Sequence, residues 1–438
     1  MAHGLAEGDM PPSDKLDVFV ADPQLKGPNQ TGIGGGQSMD RSVYLSVCRR
    51  DISFAPKAYY PLYKVDISGD SSSLGAPAAR ERPRRIGELR TDVGGKTFVS
   101  LPSGWIIGVG GEHGGTIIVD TKAPTSTPKV IHGPNLLAGK WSPVVAAVGC
   151  KVYALSRSPS YIREPDFFPW FEVLDLSKGT VTETADGSFS LDGCFWEELP
   201  CPPIFPHKLS PRGYLRPPII TVRSYVVVLP YILISLNEKT RCTYAFDTNS
   251  GEWHKIDDKC LPFVGLATPH GHNGCIFLGS SLENGSIEAY RIRVSTSSIS
   301  SSEAGVSGMG SALKLSIAVL LIKHKAHEQV GSMAGQYVTS LDMGRFAMLS
   351  FWPDNRKRSM RYYDDTNEEV LGSYSRKLFT KLKIYQIENP ALLEETEDQE
   401  KLQPVEATIA ISTQQEQEFK FSSSYGFSSP LISFALSV

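Results

Sequence analysis

The chain has 438 residues, a formal net charge of −3 and 41% hydrophobic residues, which is ample for a large core and too apolar for general disorder. Its isoelectric point of about 6.3 supplies no global field for gripping a phosphate backbone. Seven scattered cysteines without a Cys-x-x-Cys pair argue against both a secreted disulfide scaffold and a zinc site.

Residues 1–37 are polar, rich in Gly and Pro, and read as a flexible N-terminal arm with no basic-then-apolar secretory pattern. No apolar run reaches the roughly 18 residues of a membrane span. Asn29-Gln30-Thr31 and Asn284-Gly285-Ser286 match the glycosylation pattern by chance on this reading. From Arg41 onward, strand signals dominate, and they come in pairs. RSVYLSVC is followed by YYPLYKVDIS, and KTFVSLPSGWIIGVGG by GTIIVDTKAP. SPVVAAVGCKVYALS precedes WFEVLDLSKGTVTET, and ITVRSYVVVLPYILISL precedes CTYAFDTNSGEWHKI. HGHNGCIFLGSS leads to SIEAYRIRVS and ALKLSIAVLLI; GQYVTSLDMGRFAMLSFW leads to TKLKIYQIEN and VEATIAIST. β-Branched and aromatic residues alternate with turn residues throughout, and helical periodicity is not sustained. One acidic stretch, residues 389–402, reads as a solvated loop or short surface helix.

The pairs share a sentence: an apolar strand interrupted by Gly, a second ending in an acidic turn, then a Trp. Asp120, Asp175 and Asp247 occupy the turns, spaced 55 and 72 residues apart (175 − 120; 247 − 175). They are expected to form turns, since Asp side chains bond nearby backbone amides and Gly supplies positive φ, as in Asp247-Thr-Asn-Ser-Gly251. Units of roughly 50 to 70 residues suit an all-β propeller of about six four-stranded blades, within a range of five to seven. The predicted propeller spans residues 38–425, with 426–438 as a C-terminal segment that could close the ring.

Thr243 to Trp253 and Phe171 to Trp196 resemble the kelch family. Gly110-Gly111 matches its glycine pair, and Trp196 and Trp253 match its blade-closing tryptophan. Asp175 and Asp247 complete the set of structural blade residues. Gly279-Ser280 departs from the glycine pair, and the first and last units lack the Trp. The style is similar to degenerate plant kelch-like proteins, including those behind F-box segments, although no F-box-like helical segment precedes the repeats. The resemblance covers about residues 40–420. It implies that such a Trp packs between neighbouring blades, burying roughly 150–250 Å².

The Gly-rich segments 32–36 and 108–115 miss the G-x-G-x-x-G spacing, and VGGKT at 93–97 has the end of a phosphate loop without its beginning. His270 and His272 could share a strand face, and His324 and His327 a turn, but no third metal ligand accompanies either pair. A copper enzyme of galactose-oxidase type, or a hydrolase with a metal near the central channel, is the alternative function. Neither a Cys–Tyr–His set nor the Arg triad and Asp-box of sialidases is present. The basic stretches Arg80–Arg90 and Arg356–Arg358 read as solvated loops, a nuclear address or a rim contact, and residues 295–311 as a flexible insertion.

Two loops rich in aromatics and Pro remain. Tyr161, Arg163, Phe167, Phe168 and Trp170 in one, and Tyr214 in the other, are candidate anchors for a protein partner, because loops on a rigid scaffold carry function. The competing reading tucks the aromatics beneath the blade. The expectation is a monomeric intracellular scaffold or adaptor, cytoplasmic with a nuclear option, that binds a protein partner of unknown identity. It is expected not to be an enzyme and to use no cofactor, metal, membrane or nucleic acid.

Overall fold

The computed structural model describes residues 42–51, 57–67, 83–91, 94–123, 128–159, 168–206, 220–237, 242–271, 274–298, 311–324, 335–342, 344–354, 358–363, 369–374, 377–389, 408–422 and 431–438. The chain divides into Met1–Met39, which lies outside these residues, and Asp40–Val438, which contains them all. The arm at 1–37, the acidic stretch 390–402 and the basic residues 355–357 therefore lie outside the described residues.

The fold is all-β, a propeller of antiparallel meanders. β1 (Ser42–Asp51), β2 (Lys57–Asp66) and β3 (Arg84–Thr91) form three strands of the first unit. The second holds β4 (Lys96–Ser100), β5 (Trp105–Gly110), β6 (Thr116–Asp120) and β7 (Lys129–Gly133). The third holds β8 (Val144–Val148), β9 (Lys151–Leu155) and β10 (Phe171–Asp175). A hairpin of β11 (Thr180–Glu183) and β12 (Phe189–Asp192) then intervenes before its last strand, β13 (Trp196–Glu198). That hairpin leaves the third unit and extends the second, since β12 runs parallel to β7.

The fourth unit is β14 (Val222–Val228), β15 (Tyr231–Leu236), β16 (Thr243–Asp247) and β17 (Glu252–Asp257). The fifth is β18 (Phe263–His270), β19 (Ile276–Ser281), β20 (Ile287–Ser298) and β21 (Ser311–His324). The sixth begins with β22 (Gly335–Asp342) and β23 (Arg345–Pro353), then inserts a hairpin of β24 (Arg358–Tyr363) and β25 (Glu369–Tyr374). It ends with β26 (Lys377–Ile387) and β27 (Thr408–Ser422). β28 (Leu431–Ser437) returns to the start and pairs with β1, from Val43 against Ser437 to Cys48 against Leu431, becoming the innermost strand of the first unit. The innermost strands β28, β4, β8, β14, β18 and β22 touch in that order, and β22 touches β28 again. The ring is closed.

Side-chain alternation explains why it closes. Successive strand residues point to opposite faces, and here both faces are apolar. Ile232 and Ile234 pack against the third unit with Val144, Tyr153 and Phe171, while Leu233 between them packs against Phe263 and Phe277 of the fifth. The same division repeats at every seam: six buried clusters lie between successive units, the last joining Val43, Leu45 and Ile432 to Leu349 and Leu382. A lone sheet would leave both of its faces wet.

The repeated residues act as local fasteners. Asp120, Asp175 and Asp247 each accept a hydrogen bond from the amide two residues on, at 3.0, 3.1 and 2.8 Å. Trp196, 1% exposed, donates its indole N–H to Thr116 Oγ1 at 3.0 Å and to the Pro134 carbonyl at 3.1 Å, fastening the third unit to the second. Trp253 donates to the Pro200 carbonyl at 2.9 Å and packs on Phe171 and Phe246. Gly110 has φ +115°, and a Cβ there would lie 2.6 Å from Pro143 Cδ and 2.8 Å from the Lys140 carbonyl. Gly111 then donates to that carbonyl at 2.8 Å. The glycine pair is what lets the connection to β8 lie against β5.

That connection is held by a charge pair with no sequence signature. The side chains of Lys140 and Glu172 are both 0% exposed and form an ion pair, and the second carboxylate oxygen accepts from the Leu137 amide at 2.7 Å. Breaking a buried pair strands a charge and costs about 3–5 kcal/mol. Lys140→Met should lower the unfolding free energy by that amount in urea titrations. Lys140→Met with Glu172→Gln, which keeps an acceptor for Leu137, should recover most of the loss.

Candidate binding face at the mouth of the ring

Antiparallel pairing sends two families of connection to one end of the ring: those between second and third strands, and those from an outer strand to the next inner one. Residues 134–143, 156–159, 168–170, 199–206 and 220–221 lie at this end. The turns between first and second strands, such as Leu229–Pro230, emerge at the opposite end.

The described parts of the two sequence-predicted loops, residues 168–170 and 205–206, meet at this mouth. Trp170 donates its indole N–H to the Pro206 carbonyl at 2.7 Å, and its ring lies 6.4 Å from that of Phe205. Trp170 is 1% exposed, so it is not an exposed anchor: its apolar body fills the seam between the third and fourth units. Phe168 stands edge-on to it and is 37% exposed. Tyr161, Arg163, Phe167 and Tyr214 lie outside the described residues. Leu137 is 58% exposed on the neighbouring connection, its amide fixed by Glu172.

His270 sits at the other end of its inner strand, buried, with Nδ1 3.0 Å from Ser340 Oγ of the sixth unit. His272, its sequence partner, lies outside the described residues. Among the described residues no group of three or more His, Cys, Asp or Glu side chains could hold a metal ion.

Polar groups that sequence reasoning did not select gather nearer the axis. Lys96 opens β4 and donates from Nζ to the carbonyls of Gly110 and Gly115, at 2.8 and 2.5 Å. Burial takes its ammonium down to about 8 from an ordinary 10.5. Gly95 accepts from the Ser142 amide at 2.7 Å, and the Ser142 carbonyl accepts from Arg157 Nε at 3.1 Å. Arg157 acts on the phenols of Tyr225, on β14, and Tyr337, on β22. Tyr337 donates to the Ile432 carbonyl at 3.1 Å, with the Ser433 carbonyl at 3.2 Å. Burial drives its phenol up to about 12, with Tyr225 adding to the rise and Arg157 opposing it. Lys96, Arg157, Tyr225 and Tyr337 thus come from the second, third, fourth and sixth units. Lys96 belongs to the VGGKT segment, which carries the end of a phosphate loop without its beginning; Arg157, Tyr225 and Tyr337 carry no local motif that would have drawn them together.

The Lys96 shift fixes a pH dependence. Below pH 8 the amine is charged in both folded and unfolded chains, and the full burial cost is present. Between about 8 and 10.5 the folded chain gives up its proton first, so stability rises with pH. In thermal melts, wild type should therefore gain on Lys96→Met across that window, while the difference between them stays flat below pH 8.

Among solved structures, the chain is similar to a candidate 6-phosphogluconolactonase from Bacteroides fragilis, with 9% identity, a TM-score of 0.34, and coverage of 87% of this chain and 100% of the other. It is also similar to an engineered GH43 glycoside hydrolase displaying endo-xylanase and exo-arabinofuranosidase activity, with 8% identity, a TM-score of 0.25, and coverage of 84% and 93%. These likenesses are too distant to carry an activity across. Both neighbours are nevertheless named as enzymes, and the expectation that this chain is not an enzyme falls with that finding. No curated protein matches it significantly. The family whose pattern matches is not kelch, so the kelch resemblance rests on the Asp turns, the glycine pair and the two tryptophans alone. Matched over residues 40–406, the chain belongs to the family described as protein of unknown function (DUF1668).

Proposed function

We propose that the chain is a binding protein that engages a protein partner through the mouth of its propeller, in the manner of a scaffold or adaptor. The observation that carries this reading is the placement of Leu137 and Phe168. Both are exposed large apolar side chains on mouth-side connections; the Leu137 amide is fixed by buried Glu172, and the Phe168 ring stands against buried Trp170. An apolar anchor on a preordered loop loses little entropy on association, and it is the kind of group that dominates interface energetics. Loops held on a rigid frame are also where proteins concentrate recognition.

Leu229 supplies an internal control, since it is 72% exposed but sits in a turn at the opposite end. With a photo-crosslinking residue placed at 137, 168 or 229 in the intact protein, a single partner should be captured from 137 and 168 and not from 229. The double variant Leu137→Asp/Phe168→Asp should then bind that captured protein at least ten-fold more weakly with an unchanged melting temperature. Equal capture from all three positions would contradict the assignment.

A further inference from the structure

We propose that Glu172 is a positioning residue of the binding mouth: the buried Lys140–Glu172 pair is kept to hold Leu137 outward for the partner, not to stabilise the seam. This rests on the binding reading above and goes beyond it, to the group that presents one of its two anchors. The contacts around residues 134–140 carry it.

The connection is tied down on both sides of Leu137. The Pro134 carbonyl accepts from the Trp196 indole at 3.1 Å, and the Leu136 amide donates to the Gly114 carbonyl at 2.8 Å. Further on, the Lys140 carbonyl accepts from the Gly111 amide at 2.8 Å. Just before it the backbone is pressed onto the second unit, since a Cβ at Gly139 would lie 2.0 Å from the Glu112 carbonyl oxygen. The pair holds the two residues between. One Glu172 carboxylate oxygen accepts from the Leu137 amide at 2.7 Å, and Lys140 Nζ donates to the Ala138 carbonyl at 3.4 Å. The other carboxylate oxygen meets Lys140 Nζ. A strand of the third unit is thereby joined to the connection, and the ammonium closes the connection back on itself.

Side-chain exposure follows from these ties. Leu136 and Ala138 are 6% and 9% exposed, and Leu137 between them is 58% exposed. The amides of Leu136 and Leu137 are committed to Gly114 and to Glu172, so Leu137 cannot turn inward without breaking one of them. An anchor ordered in advance loses less entropy when a partner covers it.

Stability does not account for the pair. Glu172 stands on β10 two residues before Leu174, on the face that meets Val152, Ala154 and Leu136 in an apolar seam. Methionine and leucine could replace a buried charge pair in such a seam at little or no loss of stability. What they could not supply is an acceptor for the Leu137 amide. Fixing one conformation is the use of a buried polar pair that remains.

The test compares two double variants of the full chain. Lys140→Met/Glu172→Gln keeps an acceptor for Leu137, and Lys140→Met/Glu172→Leu removes it. Their melting temperatures should agree within about 3 °C. Amide exchange at Leu137, followed by NMR on ¹⁵N-leucine-labelled protein, should be about 100-fold faster in the Glu172→Leu variant and close to wild type in the Glu172→Gln variant. The protein captured from position 137 should bind the first about ten-fold more weakly than the second. Equal exchange at Leu137, or equal affinity, would overturn the inference. A Glu172→Leu variant melting far below its counterpart would also overturn it, and would make the pair a stabilising device. The exchange contrast is read on the free chain. Failure to capture a partner from position 137 would therefore sink the binding reading, whereas equal exchange beside a captured partner would sink this inference alone.

Discussion

Every four-stranded unit of this chain is apolar on both faces, and none has a core of its own. Ile232, Leu233 and Ile234 make the point within three residues, because neighbours in one strand belong to two different seams. The free energy of folding is therefore lodged between units. At about 25 cal/mol per Å² of apolar surface buried, an unpartnered face would forfeit the whole contribution of its seam. The first and last units meet this requirement by sharing a sheet: the strand Leu431–Ser437 lies beside Ser42–Asp51, and Ile432 and Ala435 enter the seam with Leu349 and Leu382.

Closure also decides where chemistry can occur. Strand direction alternates along the four-stranded meander of each unit, so the connections between second and third strands and between successive units collect at one end. The Lys140–Glu172 pair then fixes the connection from the second unit to the third, and through Leu137 it sets what that connection exposes. Arg157 is clamped between Ser142 on one side and Val222 on the other, which makes its guanidinium a fixed feature of the ring and not of a mobile loop. The site's polar groups come from the second, third, fourth and sixth units and are in register only because the ring is shut.

The frame was legible in the sequence because its determinants are local. Period-two patterning marked the strands, and Asp175 and Asp247 marked turns whose hydrogen bonds span two residues. Trp196 and Trp253 marked the outer strands that bind one unit to the one before. The site was largely illegible for the opposite reason. Lys140 and Glu172 pair across 32 positions with no periodicity to announce them, and a lysine between two apolar strands reads as solvated until the fold is known. Arg157, Tyr225 and Tyr337 share no motif, only a common axis. Trp170 was offered as an exposed anchor because it lies in a proline-rich loop, yet its indole finds a carbonyl in another such loop and both sink into one seam. The β11–β12 hairpin escaped notice because it joins the neighbouring unit's sheet, a parallel pairing that local alternation does not encode.

The central claim is that the ring is shut by the pairing of its last strand with its first. Hydrogen exchange on the intact protein, read by mass spectrometry on peptides spanning 431–438 and 42–51, tests it most directly. Closure predicts that both peptides exchange only through global unfolding, at the rate of the interior strands Val222–Val228 and Tyr231–Leu236. Fast exchange at 431–438 while those interior strands stay protected would contradict it.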